Sequence, residues 1–121
     1  MQASTHDIKM LDRLKKRSDF LRVNAAGTKW VSKGVIIQIA KNEDGGRRYG
    51  LTVTKRTAKE AVIRNRIKRR LRAAVADVLP TTLKEGYDIV LIGRAETARR
   101  DYEDLKQDIR WCLRKMGAAQ P

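Results

Sequence analysis

Helices packed on a small sheet, an α+β architecture, is what three features of this sequence predict. The run YDIVLIGR (87–94) is nearly continuous in apolar residues, as a central strand is. KGVIIQIA (33–40) is short and rich in β-branched residues. Between them, residues 57–79 repeat apolar side chains at helical spacing. A chain of 121 residues has room for one modest core, so 1–121 is expected to form one domain with 1–13 as a flexible lead-in.

The elements follow in order. Ser18 and Asp19 read as a helix start, Phe20, Leu21 and Val23 supply its apolar contacts, and Gly27 ends it soon afterwards. After the strand at 33–40, KNEDGGRR is a turn in which Gly45 and Gly46 are free to take positive φ. RYGLTVT (48–54) alternates well enough to be the hairpin partner of the preceding strand. Thr57 and Glu60 have the spacing of a capping box, which predicts a helix running to Leu79 and stopped by Pro80. Asp101 is placed to cap a last helix whose apolar stripe is Tyr102, Leu105, Ile109, Cys112, Leu113 and Met116, with Gly117 at its end. The predicted order is α-β-β-α-β-α.

Charge narrows the function. Lys and Arg number 28 against 14 Asp and Glu, a net charge of +14. Such an excess disfavours the compact isolated chain and attracts polyanions, with nucleic acid the first expectation and an acidic membrane surface the weaker one. The first seventeen residues have no hydrophobic region or cleavage site, so no secretory signal is expected, and VIIQIA is far too short to span a bilayer. The lone Cys112 has no partner for an internal disulfide and lies in an apolar stripe; a buried hydrophobe in a reducing cytoplasm is expected.

The excess concentrates in KEAVIRNRIKRRLRAAV (59–75). Residues 55–72 hold nine Lys and Arg against one acid, Glu60. At roughly 100° per residue, Ile63, Ile67, Leu71, Ala74, Val75 and Val78 fall on one side of the helix. Arg64, Asn65, Lys68, Arg69 and Arg72 fall on another, with Arg66 and Arg70 on the far border of the apolar stripe. A merely solvated face mixes signs, because opposite charges four apart stabilise it and like charges cost stability. An anion-binding surface is therefore expected, and the excess of arginine favours phosphate, which its fork grips with paired hydrogen bonds. A helix-turn-helix reader of duplex DNA needs a second helix within a few residues, whereas here a proline and a strand follow. RNA suits a basic helix on a small sheet better. Phe20, Trp30 and Tyr49 could stack on bases near that sheet or pack in the core.

The phrases GLTVTKR, AVIRNRIKRRLR and YDIVLIGR, in this order, resemble the protein subunit of bacterial ribonuclease P, with an RNR signature at Arg64, Asn65 and Arg66. LKKRSDFLRV (14–23) is similar to the family's opening helix with its phenylalanine, so the resemblance runs from about Leu14 to Met116. It implies a mixed sheet in which two parallel strands are joined through the basic helix by a left-handed crossover, against the usual hand. This is the fold of the second domain of a small-subunit ribosomal protein. It also implies that the catalytic RNA performs a magnesium-dependent hydrolysis removing the 5′ leader of precursor tRNA. The protein, holding no catalytic site or metal of its own, would bind that RNA, one protein per RNA. Carried onto this chain, Lys55, Arg56, Arg64, Asn65, Arg66, Lys68, Arg69 and Arg72 would contact RNA, and Arg17, Phe20 and Asn24 would line a cleft for the leader. Two departures stand out. TAKEAVI, before the signature, is seven residues long and lacks a glycine where six with a glycine are common. Asn24 occupies the place of a second aromatic, which implies a cleft that stacks less and hydrogen-bonds more.

Two other classes compete. A self-sufficient nuclease needs converging carboxylates for magnesium or a histidine pair. His6 is the only histidine, and Asp101, Asp104 and Asp108 share a helix face that reads as a solvated first turn. A ribosomal or general RNA-binding protein without a role in tRNA processing would carry the same charge, and only the ordered motifs speak against it.

Overall fold

The computed structural model describes residues 11–121. Five strands, β1 (Leu11–Arg13), β2 (Thr28–Val31), β3 (Val35–Lys41), β4 (Arg47–Thr52) and β5 (Tyr87–Gly93), form one mixed sheet in the order β1-β4-β5-β3-β2. Three helices complete it: α1 (Arg17–Ala25), α2 (Ala61–Thr82) and α3 (Tyr102–Lys115).

β5 is central because it is apolar on both faces. Ile89 and Leu91 point toward α2 and α3, while Val90 and Ile92 belong to the cluster under α1. It pairs antiparallel with β3 and parallel with β4, so β4, α2 and β5 make a parallel strand–helix–strand unit. The predicted β3–β4 hairpin is thereby corrected, since β5 lies between the two strands. The 42–46 turn spans the gap through the backbone of Gly86, whose N–H donates to Gly46 O at 3.0 Å while its carbonyl accepts from Asn42 N–H at 2.8 Å. β-Branched content points to the first strand and alternation to the second, but neither carries information about which neighbour a strand takes.

Two short strands escaped the sequence reading. β1 pairs parallel with β4, aligning Arg13 with Tyr49, so the expected lead-in of 1–13 is ordered at its last three residues. β2 pairs antiparallel with β3 and is exposed throughout, as an edge strand is. Three helix ends also differ. α1 begins at Arg17 after Lys16, without a side-chain cap from Ser18. α2 begins at Ala61, and Thr57 instead closes a turn on Thr54 O at 3.1 Å, so the capping box does not form. Pro80 lies within α2, which continues to Thr82. The proline removes only the bond its own N–H would give to Ala76 O, and Ala76 is exposed and open to water. Buried Arg47 reinforces this end, donating to Pro80 O at 2.9 Å and Leu83 O at 3.2 Å, a cation at carbonyls the helix leaves free. α3 ends as expected. Gly117 has φ 76, and Ala118 N–H returns to Leu113 O at 2.9 Å.

The larger core lies between the sheet and the two longer helices: Ile67, Leu71, Ala74, Val75 and Val78 of α2 and Leu105, Ile109, Cys112 and Leu113 of α3 are all buried in it. On the opposite face α1 covers Val90 with Val23 and Phe20. Phe20 sits where a side chain on Gly50 would be, 2.5 Å from the position of a Cβ there. Gly50→Ala is expected to lift α1 and destabilise the protein by about 1–3 kcal/mol, measurable by urea denaturation. An unchanged midpoint would mean that Phe20 moves aside without cost.

Candidate nucleic-acid interface

Sheet-facing residues orient α2, and that orientation exposes its basic side. Asn65, Arg69 and Arg72 are exposed and Lys68 is half-buried; none of the four side chains has a hydrogen bond or ion pair with another described residue. More broadly, no ion pair among the described residues involves any Lys or Arg from 55 to 72. Lys55, Arg56 and Lys59 are exposed on the segment that leads into the helix. No ion pair among the described residues relieves their mutual repulsion.

Three arginines of the same run have structural partners that spacing could not show. Arg64 reaches back to the Ala58 and Lys59 carbonyls at 2.8 and 2.7 Å, tying down the glycine-free segment before the helix. Arg66 and Arg70 cross to the short 3-10 turn at Ala95–Ala98 and donate to Ala98 O at 2.8 and 3.2 Å. Arg70 also donates to Arg100 O. Of the predicted contact residues, Arg64 and Arg66 are thus partly committed to the fold. Asn65, Lys68, Arg69 and Arg72, with Lys55 and Arg56, are not.

A second surface flanks α1. Arg17, Phe20 and Asn24 share one border of this helix, three and four residues apart. Phe20 is half-buried over Gly50, and Asn24 Oδ1 accepts from Gln38 Nε2 of β3 at 2.9 Å. Arg17 is exposed. At the place where the resemblance implies a second aromatic, this chain has an amide–amide hydrogen bond.

Asp88 anchors the other border of α1, and sequence reasoning passed over it. Its buried carboxylate accepts from Arg48 Nε at 3.0 Å and Nη2 at 2.9 Å, from Asn42 Nδ2 at 2.8 Å, and from Arg22 of α1. Burial alone would raise its pKa, but the bonds from Arg48, Asn42 and Arg22 outweigh it and hold the carboxyl below its ordinary value. The signal was available, since an acid inside a nearly continuous apolar strand has to be paired.

The remaining candidates have structural places. Tyr49 is buried in the main core, with the Arg13 guanidinium 5.9 Å from its ring centroid. Trp30 is exposed on β2. Asp108, expected on a solvated face, accepts from Gly34 N–H at 3.1 Å and from Arg100 Nε at 2.9 Å. Cys112 is buried, and burial raises its thiol pKa, which makes it unreactive. His6 lies outside the described residues. Among the described residues no three His, Cys, Asp or Glu side chains gather to hold a metal ion. No helix among them is long and apolar enough to cross a membrane.

Known proteins resemble this chain in sequence and in fold. The sequence profile of the Ribonuclease P family matches residues 8–117. The chain is 47% identical to the ribonuclease P protein component of Paramagnetospirillum magneticum over 91% of its own length and 86% of that protein. It is 32% identical to that of Clostridium botulinum, covering 88% and 95%. Among solved structures, the RNase P protein of Staphylococcus aureus superposes with a TM-score of 0.73 at 25% identity, covering 89% of this chain and 97% of that one. The Thermotoga maritima protein gives 0.72 at 25% identity, covering 85% and 96%.

Proposed function

Because the chain belongs to the ribonuclease P protein family, we propose that it works as the RNA-binding subunit of a ribonucleoprotein that removes the 5′ leader of precursor tRNA. The observation that carries the reading is the cation cluster at 55–72, which has no ion pair among the described residues. Phosphates of the catalytic RNA supply the missing negative charge, and helical spacing spreads Lys68, Arg69 and Arg72 to meet several of them. The surface beside Arg17, Phe20 and Asn24 takes the single-stranded leader, with Phe20 against a base and Arg17 near a phosphate. The magnesium needed for hydrolysis is held by RNA and substrate, and the hydrolytic step is assigned to the RNA. The chain's own contribution is to bind, orient and screen phosphate repulsion between the two RNAs. One protein per RNA, acting in the cytoplasm, completes the reading.

The test is cleavage of a 5′-extended precursor tRNA at low magnesium with catalytic RNA alone, protein alone, and both. Strong stimulation only in the mixture is expected. It should be lost when Lys68, Arg69 and Arg72 become glutamine, a set preferable to Arg64 and Arg66 because it breaks no hydrogen bond within the described fold. Cleavage by protein alone would overturn the assignment of chemistry to RNA. Tight RNA binding without stimulation would favour a general RNA-binding protein.

A further inference from the structure

The only two tryptophans of the chain meet at a place the α2 surface does not include. Trp30 lies on the outer strand β2, opposite Ile37, and Trp111 lies on α3. Their ring centroids are 5.9 Å apart with planes at 66°, an edge-to-face pair. Buried tryptophans in such a pair would need no further account. These two are 37% and 39% exposed, at the rim of the molecule.

In an edge-to-face pair only one face of one ring is used by its neighbour, so flat aromatic surface is left over. The surroundings select what could cover it. Arg114 and Lys115, three and four residues beyond Trp111 and so on its side of α3, are exposed and have no ion pair among the described residues. Lys33, just past the end of β2, is likewise exposed and has no ion pair among those residues; Lys29, next to Trp30 on the strand, points to the opposite face, that of α1, and plays no part here. The acid nearest Trp111 on its helix side, Asp108, is already held by Arg100 and the Gly34 N–H. A second copy of the chain would bring another +14 of charge against these lysines and arginines. A strand of unpaired nucleotides brings both things the site lacks, π-faces for the indoles and phosphates for the cations.

We propose that Trp30 and Trp111 form a stacking platform for unpaired nucleotides of RNA, a contact separate from the basic face of α2. β2 is the edge strand farthest from β1, and α3 packs on β2 and β3 whereas α2 packs on β4 and β5, so the two contacts engage different stretches of RNA. The proposal rests on the reading that the partner is RNA.

Because these are the chain's only tryptophans, indole emission reports on this place alone. The full chain is titrated with an oligoadenylate of about ten nucleotides, with binding followed independently by the anisotropy of a labelled strand. Inorganic polyphosphate, which carries charge without bases, is the control. Saturable quenching by the oligonucleotide and none by polyphosphate is the expected result. Trp111→Ala is expected to weaken the quenching phase about 5- to 100-fold, and Trp111→Phe, which keeps a ring, to weaken it less. Oligonucleotide binding with unchanged emission would overturn the platform and leave RNA binding through α2 intact. Equal quenching by polyphosphate, or emission that follows protein concentration together with dimers in sedimentation, would overturn it also. Absence of oligonucleotide binding would overturn the platform, and a failure to bind or stimulate catalytic RNA in the cleavage assay would separately remove the subunit reading.

Discussion

Replacing Lys68, Arg69 and Arg72 together by glutamine should reduce the salt dependence of RNA binding by about 2–3 in the slope of log affinity against log salt. Each phosphate neutralised releases condensed counterions worth roughly 0.7–0.9 of that slope. Between about 50 and about 200 mM salt, the fall in affinity should then be some 20–40-fold smaller than for the unaltered chain. Filter binding or anisotropy with the catalytic RNA at four or five salt concentrations measures it. The three side chains make no hydrogen bond or ion pair with another described residue, so the fold is expected to lose nothing and, with less self-repulsion, to gain slightly in melting temperature. An unaltered slope in a folded variant would mean that these cations face water in the complex as they do in the free protein.

The second large effect is expected at Asp88. Asp88→Asn should cost about 2–4 kcal/mol, somewhat below the range for breaking a fully buried pair, because Arg22 and Arg48 reach partly into solvent and can rehydrate. The dependence on pH follows from the direction of the shift. The folded carboxyl titrates below its ordinary value of 3.8, so the unfolded chain binds the proton more readily. The stability it contributes is fully present above that ordinary value and is lost as pH falls through the lower, folded value. Urea denaturation of both proteins from neutral pH downward should give curves that converge in acid. A constant difference at every pH would show that shape rather than charge is at work. Arg22 ties α1 to Asp88, so amide exchange in α1 should rise selectively in the variant.

Much of the architecture was legible because a residue's face is a local property. The apolar stripe of α2, the double-sided apolar run of β5 and the glycine after α3 each act within their own segment, and each has the role its spacing predicts. The charge run was legible for the same reason, since helical periodicity alone puts Asn65, Lys68, Arg69 and Arg72 on the side away from Ile67 and Leu71. What failed was pairing. Strands β3 and β4 are separated by a β5 that arrives more than thirty residues later, and β1 and β2 are too short and too polar to announce themselves.

The sequence by itself determined the fold class and the sign and place of the charge, because these depend on composition and on periods of two or 3.6 residues, and its ordered motifs carried the resemblance to the family. Tertiary structure alone decided which charges remain available. It spent Arg64, Arg66 and Arg70 on backbone carbonyls, buried Arg47 under the end of α2, clamped Asp88 between Arg22 and Arg48, and brought Trp30 against Trp111. The physical reason is that a long cationic side chain binds whichever acceptor the folded chain brings within reach, and chain separation says nothing of that distance. In a protein with twice as many basic as acidic residues, the cations left without an ion pair among the described residues are the ones available to a partner.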